Sequence, residues 1–156
     1  MQETLDIWTS KQAKEFLARV REQWGGDWKP EEAFIASPKG KIFLVSRDLA
    51  KIDWQKLRIS SVGCYVAELR DERVRLSIEG SQLIGPHATK NIIDLDADEF
   101  MRWLKGDDIP LGKRAEGLGP GFILVRNNKD YCGSGPLKGN LLLNMVPKAR
   151  RLPRNA

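Results

Sequence analysis

Residues 117–154 read GLGPGFILVRNNKDYCGSGPLKGNLLLNMVPKARRLPR, and this stretch decides how the rest of the chain is understood. Largely apolar runs, Phe122 to Val125 and Asn140 to Val146, alternate with turns rich in Gly, Asn and Pro. That is the pattern of short strands with sharp bends, in which glycine supplies the backbone freedom a small barrel needs. Charge sets the same stretch apart. Residues 121–156 hold seven Lys or Arg against one acid, Asp130, a net of +6, while the other residues carry 19 basic and 20 acidic side chains. The formal charge of +5 therefore belongs to the β-rich end, as expected of a protein that docks a polyanion on one surface.

Working outward, the 156 residues suffice for one ordinary domain or two small ones, and 41% hydrophobic residues can build cores of that size. No apolar run approaches the roughly 18–20 residues needed to cross a bilayer, and the opening MQETLDIW is no signal peptide. These features predict a folded, cytoplasmic protein with no membrane association. Cys64, Cys132 and the single histidine, His87, are far apart in sequence, so no zinc, haem or dithiol spacing occurs. The cysteines read as small packing residues.

Upstream of the β-rich end, Thr9 and Gln12 form a capping box before the apolar periodicity Ala13, Phe16, Leu17, Val20, Trp24, and Gly25-Gly26 ends the predicted helix. Runs at 33–36 and 41–45 flank Ser37-Pro38-Lys39-Gly40 and predict a hairpin. Asp48 to Leu57 reads as partly helical, with Leu49, Ile52 and Trp54 or Leu57 packing on the sheet. Strands are expected at 63–69 and 74–78, a short helix or turn stopped by Pro86 at 80–86, and a strand or linker at 92–95. Asp96 and Glu99 form a second capping box for a helix over 97–105. The fold class is therefore α+β: a mixed front domain over 1–91 and a C-terminal β pseudo-barrel over 92–156.

Three consecutive blocks carry a family resemblance: LRISSVGCYVAELRDERVRLSIEGSQLIGP (57–86), DADEFMRWLKGDDIPL (96–111) and GPGFILVRNNKDYCGSGPLKGNLLLNMVPKARRL (119–152). Their order resembles the pre-PUA plus PUA tail of Fmu/Sun-type RNA cytosine-5 methyltransferases, and the front half is similar to that of small PUA-containing ribosome-biogenesis factors. The resemblance implies binding of structured RNA, rRNA or tRNA, in ribosome biogenesis or RNA modification. It does not carry catalysis with it. The doubly wound SAM-binding unit has no room here, GxGxxG is missing, and neither cysteine follows proline as a nucleophile of that family does. No cofactor and no enzymatic activity are expected.

Candidate RNA-contacting residues are Lys113, Arg114, Arg126, Lys129, Lys138, Lys148, Arg150 and Arg151, whose cations suffice for phosphate contacts without reading bases. Tyr131 offers an aromatic face on which a base can stack, with packing as the alternative. Gly133 to Gly139 lacks the Gly-Lys-Ser/Thr ending of a phosphate loop, and Pro136 removes a donor, so it reads as a bend with Lys138 as its one phosphate-seeking group. Asp107-Asp108 and Asp94/Asp96 are paired acids without metal-ligand spacing. A second functional class stays open, a protein-interaction adaptor that docks a ribosomal or ribosome-assembly protein or an RNA methyltransferase.

Overall fold

A computed structural model describes residues 5–51 and 63–155. The chain begins with a short edge strand, β1 (Asp6–Ile7), and the helix α1 (Ser10–Trp24). Both halves of the Thr9/Gln12 capping box form, and Gly25 at φ 74° ends the helix. The hairpin β2 (Ala33–Ala36) and β3 (Lys41–Val45) follows, then a single helical turn, α2 (Arg47–Ala50). The packing expected of the Leu49, Ile52, Trp54 and Leu57 side chains lies outside what is described.

Strands β4 (Cys64–Arg70) and β5 (Arg73–Leu76) complete an antiparallel sheet in the order β1-β2-β3-β4-β5. The strand expected to run to Ile78 stops at Leu76 because Ser77 caps a helix: its hydroxyl accepts from the Gly80 amide at 2.9 Å. Ile78 thus opens α3 (Ile78–Ile84), and Pro86 does not end the helical path, which continues as a 3-10 turn over Gly85–His87. Proline is tolerated there because first-turn amides have no intrahelical acceptor.

β6 (Ile92–Asp94) and α4 (Ala97–Leu104) come next, the latter opened by the Asp96/Glu99 capping box. Between α4 and the next long strand the chain forms β7 (Ile109–Pro110) and a 3-10 turn at Gly112–Ala115. β8 (Ile123–Asn127) pairs antiparallel with β9 (Asp130–Gly135) and parallel with β6, giving the order β6-β8-β9. β10 (Leu137–Lys138) and β11 (Leu141–Leu142) form a third sheet with β7. The apolar run at 140–146 therefore yields only two strand residues, because Asn144 is drawn away to bond the Asp108 carboxylate and the carbonyls of Trp103 and Asp107.

Two large cores form, beside a small cluster of Leu5, Ile35 and Val45, and one strand serves both large cores. Phe122 and Leu124 pack into the core formed by α1, β2 to β5 and α3, whereas Ile123 and Val125 pack into the second with Trp103, Ile109 and Leu142. Successive side chains of a strand point to opposite faces, so the continuous apolar run Phe122 to Val125 covers both cores. Two buried tryptophans tie these layers to the backbone: Trp24 Nε1 donates to the Phe122 carbonyl at 3.1 Å, and Trp103 Nε1 to that of Cys132 at 2.9 Å.

Candidate nucleic-acid interface

The expected RNA-contacting cations divide by chemistry. Arg114 holds Glu99 with two hydrogen bonds, of 3.1 and 2.5 Å, and Arg126 grips Asp94 with two more, of 2.6 and 2.7 Å. Arg126 also donates to the Tyr131 hydroxyl at 3.3 Å. Arg150 forms an ion pair with Glu79 from α3, and Arg154 one with Asp107. Arg151 donates to the Val146 carbonyl at 3.1 Å, and its side chain lies against Gly106, where a Cβ would come within 2.7 Å of it. A flat guanidinium favours such fork-to-carboxylate arrangements.

These pairs leave their mark on proton affinities. The Arg114 hydrogen bonds hold the Glu99 carboxyl below its ordinary value, and those from Arg126 do the same for Asp94. Three of the seven cations that make residues 121–156 so basic, Arg126, Arg150 and Arg154, are thereby compensated by acids from earlier in the chain.

The lysines behave differently. Lys113 on its 3-10 turn, Lys129 at the β8–β9 turn, Lys138 beside the Gly139-Asn140 turn and Lys148 in the 3-10 turn Lys148–Arg150 are all exposed. Among the described residues none of the four meets a carboxylate at ion-pair distance. The tail that carries Lys148 is docked. The Leu152 amide donates to the Leu104 carbonyl at 2.9 Å, and Lys105 donates to the Arg154 carbonyl at 3.3 Å.

Other candidates find structural employment. Tyr131 packs its ring over Gly85, where an added Cβ would lie 2.3 Å from the ring, leaving no space for a base on that side. The Gly133 amide, freed by a register shift between β8 and β9, is taken by the Ser81 hydroxyl at 2.7 Å. Asp107 and Asp108 hold Arg154 and the Asn144 amide. Burial pushes the Cys132 thiol up to about 11, so it stays protonated and inert, as a packing residue should. Among the described residues no cluster of His, Cys, Asp and Glu could hold a metal ion, and no helix is long and apolar enough to cross a membrane.

One feature has no signature in the sequence. A cleft of ≈ 110 Å³ opens where β5 and α3 meet β9 and the tail. Ile78, Met145 and Val146 supply apolar wall, while Tyr65, Arg75, Glu79 and Arg150 bring polar groups. Arg75 alternates with buried Val74 and Leu76, so in sequence it is indistinguishable from a solvated strand face. A second hollow, between the end of α1 and Gly121, is lined by Arg19 and Arg73 but equally by Glu22 and Glu72, and its charges cancel.

Comparison with known proteins bears on the C-terminal half. Residues 90–152 match the family model described as the methyltransferase RsmF PUA domain. That is the C-terminal PUA-like domain of Fmu/Sun-type methyltransferases, and the match runs from just before β6 to the docked tail. No curated protein matches the chain. The matching model is that of a PUA domain and does not include the catalytic methyltransferase domain, and PUA domains generally bind RNA.

Proposed function

We propose that this is a non-catalytic RNA-binding protein. Its C-terminal PUA-like unit, residues 92–156, engages structured rRNA or tRNA in the cytoplasm, in support of ribosome biogenesis or RNA modification, with residues 1–91 as a front module packed against it. The observation that carries the reading is the PUA match falling on the segment where Lys113, Lys129, Lys138 and Lys148 stand exposed and, among the described residues, unpaired by carboxylates. Flexible ammonium groups in water are suited to phosphates, which position an RNA without specifying its bases. Arg114 and Arg126 serve chiefly to hold the unit's own elements together, and Arg150 and Arg151 work from the docked tail. The test is binding of a structured RNA across a salt series. Affinity should fall linearly on a logarithmic scale as phosphates exchange counterions for lysines, and a salt-insensitive or undetectable association would overturn the proposal.

A further inference from the structure

The cleft between β5, α3, β9 and the tail has a chemistry of its own. Ile78, Met145 and Val146 offer an apolar face, Arg75 and Arg150 bring cations, and Lys148 stands two residues from Arg150 in the same turn. At ≈ 110 Å³ the cleft falls below the ~300–1,000 Å³ typical of drug-sized ligand sites, so it is a slot for one flat ring and not for a whole ligand. The walls come from both halves of the molecule, and buried serines hold those halves in register. The Ser81 hydroxyl takes the Gly133 amide, and the Ser134 hydroxyl bonds both backbone groups of Leu76. The cleft is thus formed before any ligand arrives, which spares the ordering cost of assembling it.

The ion pair at its edge is exchangeable. The Arg150 and Glu79 side chains are 47% and 38% exposed, and a water-washed pair of that kind contributes little to stability. A phosphate offers Arg150 an anionic partner with more acceptor oxygens than the carboxylate. Arg75 is far less exposed, at 16%, and its contact with Glu68 is a loose 3.7 Å. The cleft therefore couples an apolar slot to one fixed and one releasable guanidinium. A stacked helix cannot enter a slot of this size, whereas the ring of a single unstacked base can, with its phosphate left at the rim beside Arg150.

We propose that this cleft takes up one unstacked nucleotide of the bound RNA, its base against Ile78, Met145 and Val146, and its phosphate replacing Glu79 on Arg150. The assignment rests on the RNA-binding reading above and names a site that reading does not contain. Glu79 acts as a place-holder: in the free protein it keeps Arg150 at the cleft edge, and in the complex it is displaced.

The experiment compares full-length protein with Arg150→Gln, Glu79→Gln and Met145→Trp variants. The probes are an RNA hairpin with an unpaired loop and the same stem as an uninterrupted duplex, both followed by fluorescence anisotropy. Arg150→Gln should weaken loop binding roughly tenfold, as expected for removal of one charge-assisted hydrogen bond, and Glu79→Gln should tighten it several-fold by removing the competing carboxylate. Met145→Trp, which fills the slot, should abolish the preference for loop over duplex. Duplex affinity should change much less than loop affinity in each variant, by no more than the loss or gain of one charge explains. Opposite signs for Arg150→Gln and Glu79→Gln separate recognition from a merely structural pair, whose removal would act the same way from either side. Equal responses, or equal affinity for loop and duplex, would overturn the cleft assignment while leaving RNA binding intact.

Titration with adenosine 5′-monophosphate, read from the Gly133 amide resonance, decides the matter separately from the hairpin. A shift that inorganic phosphate and ribose 5-phosphate do not reproduce supports a nucleotide site. If no RNA binds at any salt, the proposed function fails, and this titration alone then judges the cleft; an unmoved resonance, or one moved equally by phosphate, refutes it.

Discussion

The Ser134 hydroxyl holds both backbone groups of Leu76, accepting from its amide at 3.0 Å and donating to its carbonyl at 3.2 Å. Leu76 ends β5 of the first sheet and Ser134 lies on β9 of the second, 58 residues later. One side chain thereby substitutes for a missing strand partner, and at 1% exposure no water competes for it.

Ser134→Ala should therefore cost more than an average hydrogen bond. Two buried backbone groups lose their partner without solvent to replace it, so a loss of about 1–3 kcal/mol in denaturant unfolding is expected. A change within ~0.5 kcal/mol, the range of ordinary surface substitutions, would show that the seam is not sealed by this serine.

Unfolding should be a single cooperative transition. β8 lends alternate residues to both cores, and the serine hydrogen bonds cross between them, so neither half can open without exposing the other's apolar surface. Circular dichroism and tryptophan fluorescence should report coincident midpoints. Trp24 and Trp103 sit in different cores, so separated midpoints would reveal independent units.

Acid should weaken the fold through Glu99. Its folded-state proton affinity lies below the unfolded value, chiefly through the Arg114 hydrogen bonds, so the stabilisation is complete above the unfolded carboxyl value of roughly 4.3. As pH falls through the lower folded value, that stabilisation disappears. Glu99→Gln should be less stable than the parent at pH 7, and the gap should narrow towards pH 3. A constant gap would mean that charge is not what Glu99 contributes.

Gly80→Ala in α3 should destabilise, although alanine ordinarily favours a helix by about 1 kcal/mol. A Cβ there would stand 1.9 Å from the Val66 carbonyl oxygen on β4, far inside van der Waals distance. Helix and strand must separate, at a cost typical of overpacking, about 1–3 kcal/mol. Thermal unfolding at a raised midpoint would contradict this.

Replacing Lys113, Lys129, Lys138 and Lys148 together by Ala should flatten the salt dependence of RNA binding, by about one unit of slope for each phosphate that no longer meets a cation. Arg126→Ala, by contrast, should lower stability by freeing Asp94 while leaving the slope almost unchanged, because its guanidinium is already engaged. A slope that responds to Arg126 and not to the lysines would reassign the interface.

Much of this is legible in the residues themselves. Capping boxes at Thr9 and Asp96, the turn at Ser37 to Gly40 and the burial of Val74 and Leu76 depend on neighbours within a few positions, and each forms where local chemistry places it. Ile78 departs from expectation because its alternation with Val74 and Leu76 continues a strand pattern that the Ser77 cap interrupts. β7 leaves no trace in the sequence because two residues carry no period.

By itself, then, the sequence determined the α+β class, the helix starts, the β-rich C-terminal segment and its excess of cations. Those properties follow from periodicity, capping and composition, all of which act over short range. Only the tertiary structure decided which cations remain available. Arg150 meets Glu79 across 71 positions, Arg126 meets Asp94 across 32 and Arg114 meets Glu99 across 15. Electrostatic pairing depends on distance in space, which chain separation does not encode, so a linear tally of charge could name the basic segment but not which of its arginines are held in ion pairs or the cleft behind its tail.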